Sequence, residues 1–267
     1  LHKAIRRQRQ MCIRDRNDIL PALKNDCIKT YIQPKVDMRT GRIVGGEALV
    51  RWQREDGSMV YPDEFIPVIE KNGYVLDVDD YMWDKVCYYI KQLEKEGKTP
   101  VPISINVSRM HVYQEDFIDR IKKITSKYDI NPKLIPLEIT ESAFTSEESS
   151  LYRKIKSLQD CGYRFSMDDF GSGYSSLGML KDEHVDEVKI DKTFVDDIAT
   201  DKGRILLKNV IQMIRALGID MIAEGVETKE QADFLVNNGC IYAQGYYYYR
   251  PMPIEDFVLL LEKSGKE

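Results

Sequence analysis

TYIQPKVDMRTGRIVGGEALV, residues 30–50, holds two strand-like runs, Thr30–Val36 and Arg42–Val50, joined only by Asp37-Met38-Arg39-Thr40-Gly41. A parallel crossover needs a dozen or more residues, so these two strands are antiparallel. Beyond them the pattern changes. Further apolar or alternating runs lie near Pro102–Val107, Ile135–Thr140, Tyr163–Asp169, Glu187–Asp191, Asp220–Val226 and Ile241–Tyr247, making eight in all. Stretches with apolar residues recurring at three and four, such as Asp80–Glu96, Ser146–Asp160 and Lys202–Leu217, predict helices between them. Strand–helix alternation implies parallel strands in a layered α/β fold, and eight strands in about 250 residues match a (β/α)8 barrel. The expected architecture is therefore a modified TIM-type barrel with an antiparallel first strand.

Composition narrows the function classes. The 267 residues carry 39 Lys plus Arg against 44 Asp plus Glu, a formal net charge of −5, which argues against a basic nucleic-acid footprint over the whole chain. No run approaches the ~18 apolar residues of a membrane-spanning helix. The opening LHKAIRRQRQMCIRDR is too charged for a secretory signal and reads as a tail or linker remnant over residues 1–17, with the domain over 18–267. Five widely spaced cysteines without a CxxC predict reduced thiols and a cytoplasmic domain. The only histidines, His2, His111 and His184, are not at metal-ligand spacing. His111 reads as a helix-surface residue, and Trp52 and Trp83 as core or rim aromatics.

In a barrel, chemistry gathers at the C-terminal ends of the strands. Those ends deliver Glu47, Asn106, Glu138, Asp168 with Asp169, Lys189 and Glu224, and Glu141 follows the fourth run. Leu137 and Ile139 flank Glu138, and Val188 and Ile190 flank Lys189. A polar side chain inside an apolar strand is costly unless paired or bound to metal. Two readings follow: separate solvated or salt-bridged strand ends, or one convergent hard-oxygen site for Mg²⁺ or Mn²⁺, in pairs. Two such ions can hold a phosphodiester and activate a water. The segment Gly171–Ser176 approaches a GxGxxG pattern without its last glycine, but a dinucleotide fingerprint would leave the preceding acids without a role.

Eight ordered segments carry a family resemblance: YIQPKVD, GEALVRW, ISINVS, LEITES, MDDFGSGYSSL, VKIDKTFV, IAEGVET and QGYYYYRPMP. Together they resemble EAL domains, bacterial phosphodiesterases of cyclic di-GMP, from about residue 18 to the end. The resemblance implies hydrolysis of one phosphodiester of cyclic di-GMP to linear pGpG. It implies a divalent-metal site, filled by Mg²⁺ or Mn²⁺ and inhibited by Ca²⁺, formed by Glu47, Asn106, Glu138, Asp168, Asp169 and Glu224. Glu47, Lys189 and Glu224 would serve catalysis, Lys189 by orienting the attacking water and Glu224 as metal ligand or general base. Gln33, Leu49, Arg51 and Gln244 match substrate-contact positions, and Glu141 matches a residue that supports the Asp169–Ser176 loop at a dimer interface. The implied partners are cyclic di-GMP, a second copy in a homodimer, and a GGDEF or sensory domain upstream in a longer parent, which could be membrane-anchored. A receptor that binds cyclic di-GMP without cleaving it, and a phosphodiesterase of another cyclic nucleotide, are the alternatives. Ser172 stands where Thr is commoner, and the run Tyr246–Tyr249 departs from the usual segment. These tyrosines are expected on a strand packed against helices.

Overall fold

The structure is a computed structural model describing residues 19–144, 148–171, 180 and 185–264. Residues 1–17, His184 and Ser172–Ser176 lie outside them. Ten strands are present: β1 (Ile28–Asp37), β2 (Ile43–Gln53), β3 (Met59–Val60), β4 (Ile103–Asn106), β5 (Leu137–Thr140), β6 (Phe165–Phe170), β7 (Glu187–Ile190), β8 (Asp220–Ala223), β9 (Tyr242–Ala243) and β10 (Met252–Pro253). Eight of them close a barrel in the order β1-β2-β4-β5-β6-β7-β8-β9, with β9 pairing back to β1. From β2 through β4 and on to β9 the barrel strands run parallel, and β1 is antiparallel to both its neighbours. The short pieces β3 and β10 extend β2 and β1 outside the eight.

The five-residue turn thus joins an antiparallel pair, and the β1–β2 register shows how that pair is fitted. Gln33 lies opposite Glu47, and Lys35 opposite Gly45. A Cβ on Gly46 would come 2.5 Å from Ile32 Cγ2, closer than side chains can pack, so glycine lets β1 close against β2.

The helices cover the barrel with apolar stripes. In the helix Val75–Lys95 the buried positions include Val75, Val78, Met82, Val86, Ile90 and Leu93, recurring at three and four. Each such aliphatic contributes ~1.5–3 kcal/mol relative to exposure. The helix Lys229–Asn238 starts in a capping box: the Thr228 hydroxyl accepts from the Gln231 N–H, and the Gln231 side chain accepts from the Thr228 N–H. The four described cysteines, Cys27, Cys87, Cys161 and Cys240, are free thiols. Among the described residues no helix is long and apolar enough to cross a membrane.

Three readings are corrected in detail. The tyrosine run is not a strand: β9 stops at Ala243, and the Tyr248 and Tyr249 N–H groups both donate to Gly245 O in a turn. Gly245 lies against the Val226 backbone, where a Cβ would come 2.1 Å from Val226 O. Tyr246 and Tyr247 are consequently exposed, while Tyr248 and Tyr249 pack partly on the core. The sixth strand begins at Phe165 and continues to Phe170, two residues later at its start than the periodicity suggested. His111 is fully buried, not on a helix surface. It sits in the short helix Arg109–Tyr113, its ring 4.5 Å from that of Trp83 and its Nε2 3.2 Å from Leu76 O. Trp52 and Trp83 are core residues, as expected.

Burial pushes the His111 imidazole down to about 4. The unfolded chain therefore binds a proton that the folded protein rejects between pH ~6.5 and about 4, so this residue's share of stability is present above pH ~6.5 and is lost as pH falls through that window. The loss is on the order of 3 kcal/mol. Melting curves of the parent and His111→Leu between pH 7 and 4 should converge as the pH drops, and parallel curves would refute the assignment.

Candidate active site

The strand ends bring the sequence-selected acids together around one ammonium group. Lys189, on β7, is 1% exposed, and its Nζ lies 2.8 Å from Glu138 Oε2, 2.8 Å from Glu224 Oε1, 2.9 Å from Asp168 Oδ1 and 3.2 Å from Glu47 Oε2. Those four carboxylates come from β2, β5, β6 and the segment just after β8. Asn106, ending β4, donates through Nδ2 to Glu47 Oε1 at 3.1 Å. Its own backbone is fixed from behind, because Trp83 Nε1 donates to Asn106 O at 3.0 Å.

Asp169 reaches the cluster through an unusual backbone. Its φ is +57°, a left-handed conformation that costs ~1 kcal/mol or more for a residue with a Cβ. The β6–β7 pairing shifts register between Met167 and Phe170, so Asp168 and Asp169 stand outside the regular alternation. Asp169 N–H donates to Asp168 Oδ1 at 3.0 Å, fixing one carboxylate relative to the other.

Two groups of three carboxylates meet at Asp168: Glu47, Glu138 and Asp168 in one, Asp168, Asp169 and Glu224 in the other, each with ligand atoms within 4.8 Å of one another. Five acids face two ammonium groups, Lys35 and Lys189, so carboxylates outnumber the cations in contact with them. Clustered carboxylate oxygens suit hard divalent ions, and here two such triads share one acid. The crowding of charge is visible in proton affinities. Glu224 is pushed up to about 8, burial being the largest cause and Asp168 and Glu47 adding to it against Lys189. Burial and the Glu138 charge raise Glu47, and burial with the Asp168 charge raises Asp169. Glu138 is held well below the ordinary carboxylate range: burial opposes this, but the charges of Lys189 and Lys35 and their hydrogen bonds overcome it.

The predicted substrate-contact residues fall into two groups. Gln244 Nε2 donates to Glu47 Oε2 at 2.6 Å and to Gln33 Oε1 at 3.1 Å, tying both glutamines to the acids. Gln244 Oε1 is buried without a hydrogen-bond partner among the described residues. Gln33, Glu47, Leu49, Glu224, Gln244 and Tyr246 line a cleft of about 360 Å³. Arg51 does not touch the acids. It is half-buried, with Nη1 donating to Val50 O at 2.8 Å and its guanidinium 5.7 Å from the Tyr31 ring centre. With Leu49, Asn106 and Thr140 it lines a second cavity of about 760 Å³.

Glu141 lies apart from the triads, in the 3-10 turn Glu141–Phe144, where its Oε2 accepts from the Gly171 N–H at 3.1 Å. Gly171 has φ +95°, and a Cβ there would come 2.0 Å from the Phe194 ring. Only glycine fits, so the chain leaving Asp169 is pinned between Glu141 and Phe194. One site residue escaped the sequence reading: Lys35, whose Nζ is 2.8 Å from Glu138 Oε1.

A family model for the EAL domain matches residues 16–251. The signaling protein YkoW of Bacillus subtilis is 35% identical over 237 residues, 88% of this chain and 30% of that protein. The probable cyclic di-GMP phosphodiesterase PdeG of Escherichia coli is 33% identical over 246 residues, 92% of this chain and 48% of that protein. The chain thus spans about a third to a half of the length of these relatives. Among solved structures, the PaMucR phosphodiesterase in its c-di-GMP complex superimposes with a TM-score of 0.86 at 30% identity, covering 91% of this chain and 99% of that one. A family match over most of the chain, on a barrel whose acids converge at one mouth, settles the classification: this chain belongs to the EAL domain family.

Proposed function

We propose that this domain hydrolyses cyclic di-GMP to linear pGpG in a reaction that depends on Mg²⁺ or Mn²⁺. The observation that carries the reading is the pair of carboxylate triads sharing Asp168 around the buried Lys189. Glu47, Asn106, Glu138, Asp168, Asp169 and Glu224 would hold two ions, which when bound supply charge neutralisation at phosphate oxygens and acidify a water. The rest is the chain's own work. Lys189, whose three N–H donors face four carboxylates, would turn one of them to the attacking oxygen once bound cations take up those acids. Glu224, whose Oε1 lies 2.8 Å from Lys189 Nζ, would serve either as a metal ligand alone or also as the base that takes the proton released as that oxygen bonds to phosphorus. As the new P–O bond forms the P–O3′ bond breaks, and the 3′ oxygen takes up a proton from the surrounding water, which replaces the one the attacking water gave up, to leave as a hydroxyl. Gln33, Leu49 and Gln244 would position one nucleotide in the smaller cleft, and Arg51 would pair with phosphate or base edges from the larger cavity. Cyclic di-GMP incubated with the protein in Mn²⁺ and followed by chromatography tests this: pGpG is expected, and binding without cleavage would make the protein a receptor. A panel of other cyclic nucleotides separates the remaining alternative.

We infer further that the domain is cytoplasmic and pairs with a second copy through the region of the Asp169–Ser176 loop, of which residues 172–176 lie outside the described residues. The Glu141–Gly171 hydrogen bond anchors the start of that loop to the turn after β5. Glu141→Ala should lower turnover by ~10-fold while Mn²⁺ affinity stays unchanged, because Glu141 fixes the backbone after the ligands without belonging to either triad. Calorimetric Mn²⁺ titration alongside turnover decides it, and an equal loss in both would place Glu141 among the ligands. Light scattering tests the dimer.

A further inference from the structure

Lys35 has no part in the chemistry just described, yet it is among the most deeply buried charges in the barrel. It lies on the interior face of β1, two residues past Gln33, and its side chain is 6% exposed. A buried ammonium is costly unless fully paired. Its partners are Glu138 Oε1 at 2.8 Å and, more loosely, Glu187 Oε1 at 3.6 Å. Glu187 is in turn fixed by Ser166, whose hydroxyl donates to Glu187 Oε1 at 3.0 Å. The opposite residue on β2 is Gly45, where a Cβ would come 2.9 Å from Pro102 O but only into ordinary contact, 3.8 Å, with Lys35 Cδ, so the glycine answers to the neighbouring strand and not to the lysine stem.

The consequence falls on Glu138. Its side chain is fully buried, and its two oxygens are divided: Oε2 faces Lys189 and the other acids, while Oε1 is engaged by Lys35 at a charge-assisted distance. We propose that Lys35 is a positioning residue that withholds Oε1 of Glu138 from the metal, so that this ligand offers one oxygen only and the site favours Mg²⁺ and Mn²⁺ over Ca²⁺. Octahedral ions with short bonds, ~2.0–2.1 Å for Mg²⁺, take single oxygens from carboxylates, whereas Ca²⁺ at ~2.3–2.6 Å gains from bidentate ones. A lysine that keeps one oxygen occupied penalises the ion that would use both. The inference rests on the metal-dependent reading given above.

Lys35→Met keeps the length of the side chain and removes its donors. Mn²⁺ and Ca²⁺ titrated separately into the parent and into Lys35→Met, by calorimetry, give the ratio of the two dissociation constants. That ratio should narrow by ~10-fold in the variant, chiefly through tighter Ca²⁺ binding, a size typical of changes to groups that orient metal ligands. A purely structural role would weaken both ions alike, and an unchanged ratio overturns the proposal. A crystal structure of the parent with Mn²⁺ gives a second test that needs no variant to fold. Glu138 should bind through Oε2 alone, with Oε1 still hydrogen-bonded to Lys35, and chelation through both oxygens overturns the inference. If the parent binds no Mn²⁺ at all, the metal-dependent function falls together with it; Mn²⁺ binding with an unchanged ratio removes only the role of Lys35.

Discussion

Glu47→Gln should abolish turnover, by more than ~100-fold, and leave the barrel at least as stable as the parent. Groups that merely orient metal ligands cost ~10–100-fold when lost, so replacing a carboxylate oxygen in the ligand set itself should cost more. Stability should go the other way. Glu47 is 5% exposed, and its proton affinity is raised by burial and by the charges of Glu138 and Asp168. It is a buried anion held among other anions, and a neutral amide of the same size removes that repulsion. The amide that replaces it can still accept through its one carbonyl oxygen, from Asn106 on one side or from Lys189 and Gln244 on the other. Melting temperatures in EDTA should therefore match or exceed the parent, while the gain that Mn²⁺ gives the parent should shrink in the variant, because a ligand stabilises only as far as it binds. Retained hydrolysis in Mn²⁺ would remove Glu47 from the chemistry. A large loss of melting temperature in EDTA would show that its hydrogen bonds outweigh the repulsion.

Lys189→Ala has the opposite signature. The ammonium is within 2.8–3.2 Å of four carboxylates and is 1% exposed, and its pKa lies well above the ordinary lysine value because those charges outweigh its desolvation. A raised lysine pKa stabilises the fold at every pH below the unfolded value of ~10.4, so the full contribution is present at neutrality. Deleting one partner of a buried ionic cluster leaves the rest uncompensated, at ~3–5 kcal/mol. In EDTA the variant should melt far below the parent. In Mn²⁺ most of that loss should be recovered, since divalent cations would oppose the same charges. Turnover should not recover: loss of the group that orients the attacking oxygen should leave it down by ~10²–10⁴-fold. Cyclic di-GMP should still bind in Ca²⁺, an ion expected to permit binding but not hydrolysis. Calorimetry in both buffers, with chromatography of the products, separates the two effects. A melting temperature indifferent to Mn²⁺ would contradict the shared-charge account.

Much of this was legible in residue order because it follows from local rules. The five-residue turn before Arg42 dictated the antiparallel first pair, and isolated polar residues flanked by apolar ones marked Glu138 and Lys189 as inward-facing. Lys35 was not legible. Nearly every residue of β1 after Tyr31 is buried, so alternation does not separate its two faces, and only the register against β2 and the contact with β5 show which acid the lysine meets. His111 eluded the reading for a related reason: a five-residue helix is too short for periodicity to name its buried face. The tyrosine run has strand-forming residues but not a strand, because Gly245 turns the chain against Val226. The left-handed backbone at Asp169 carried no signal at all, since aspartate there looks like any other acid following a strand.

The reversed direction of β1 fixes where the polypeptide arrives. Ile28, at its start, pairs with Trp52 beyond Glu47, so the chain threads into the barrel from the mouth and descends toward the floor. In a barrel whose strands all run one way, the first strand would rise from the floor instead. Whatever leads into Ile28 therefore joins β1 at the end of the barrel where the acids gather, so a displacement of that approach would act on the acid-lined end first and on the floor only through the length of the strand.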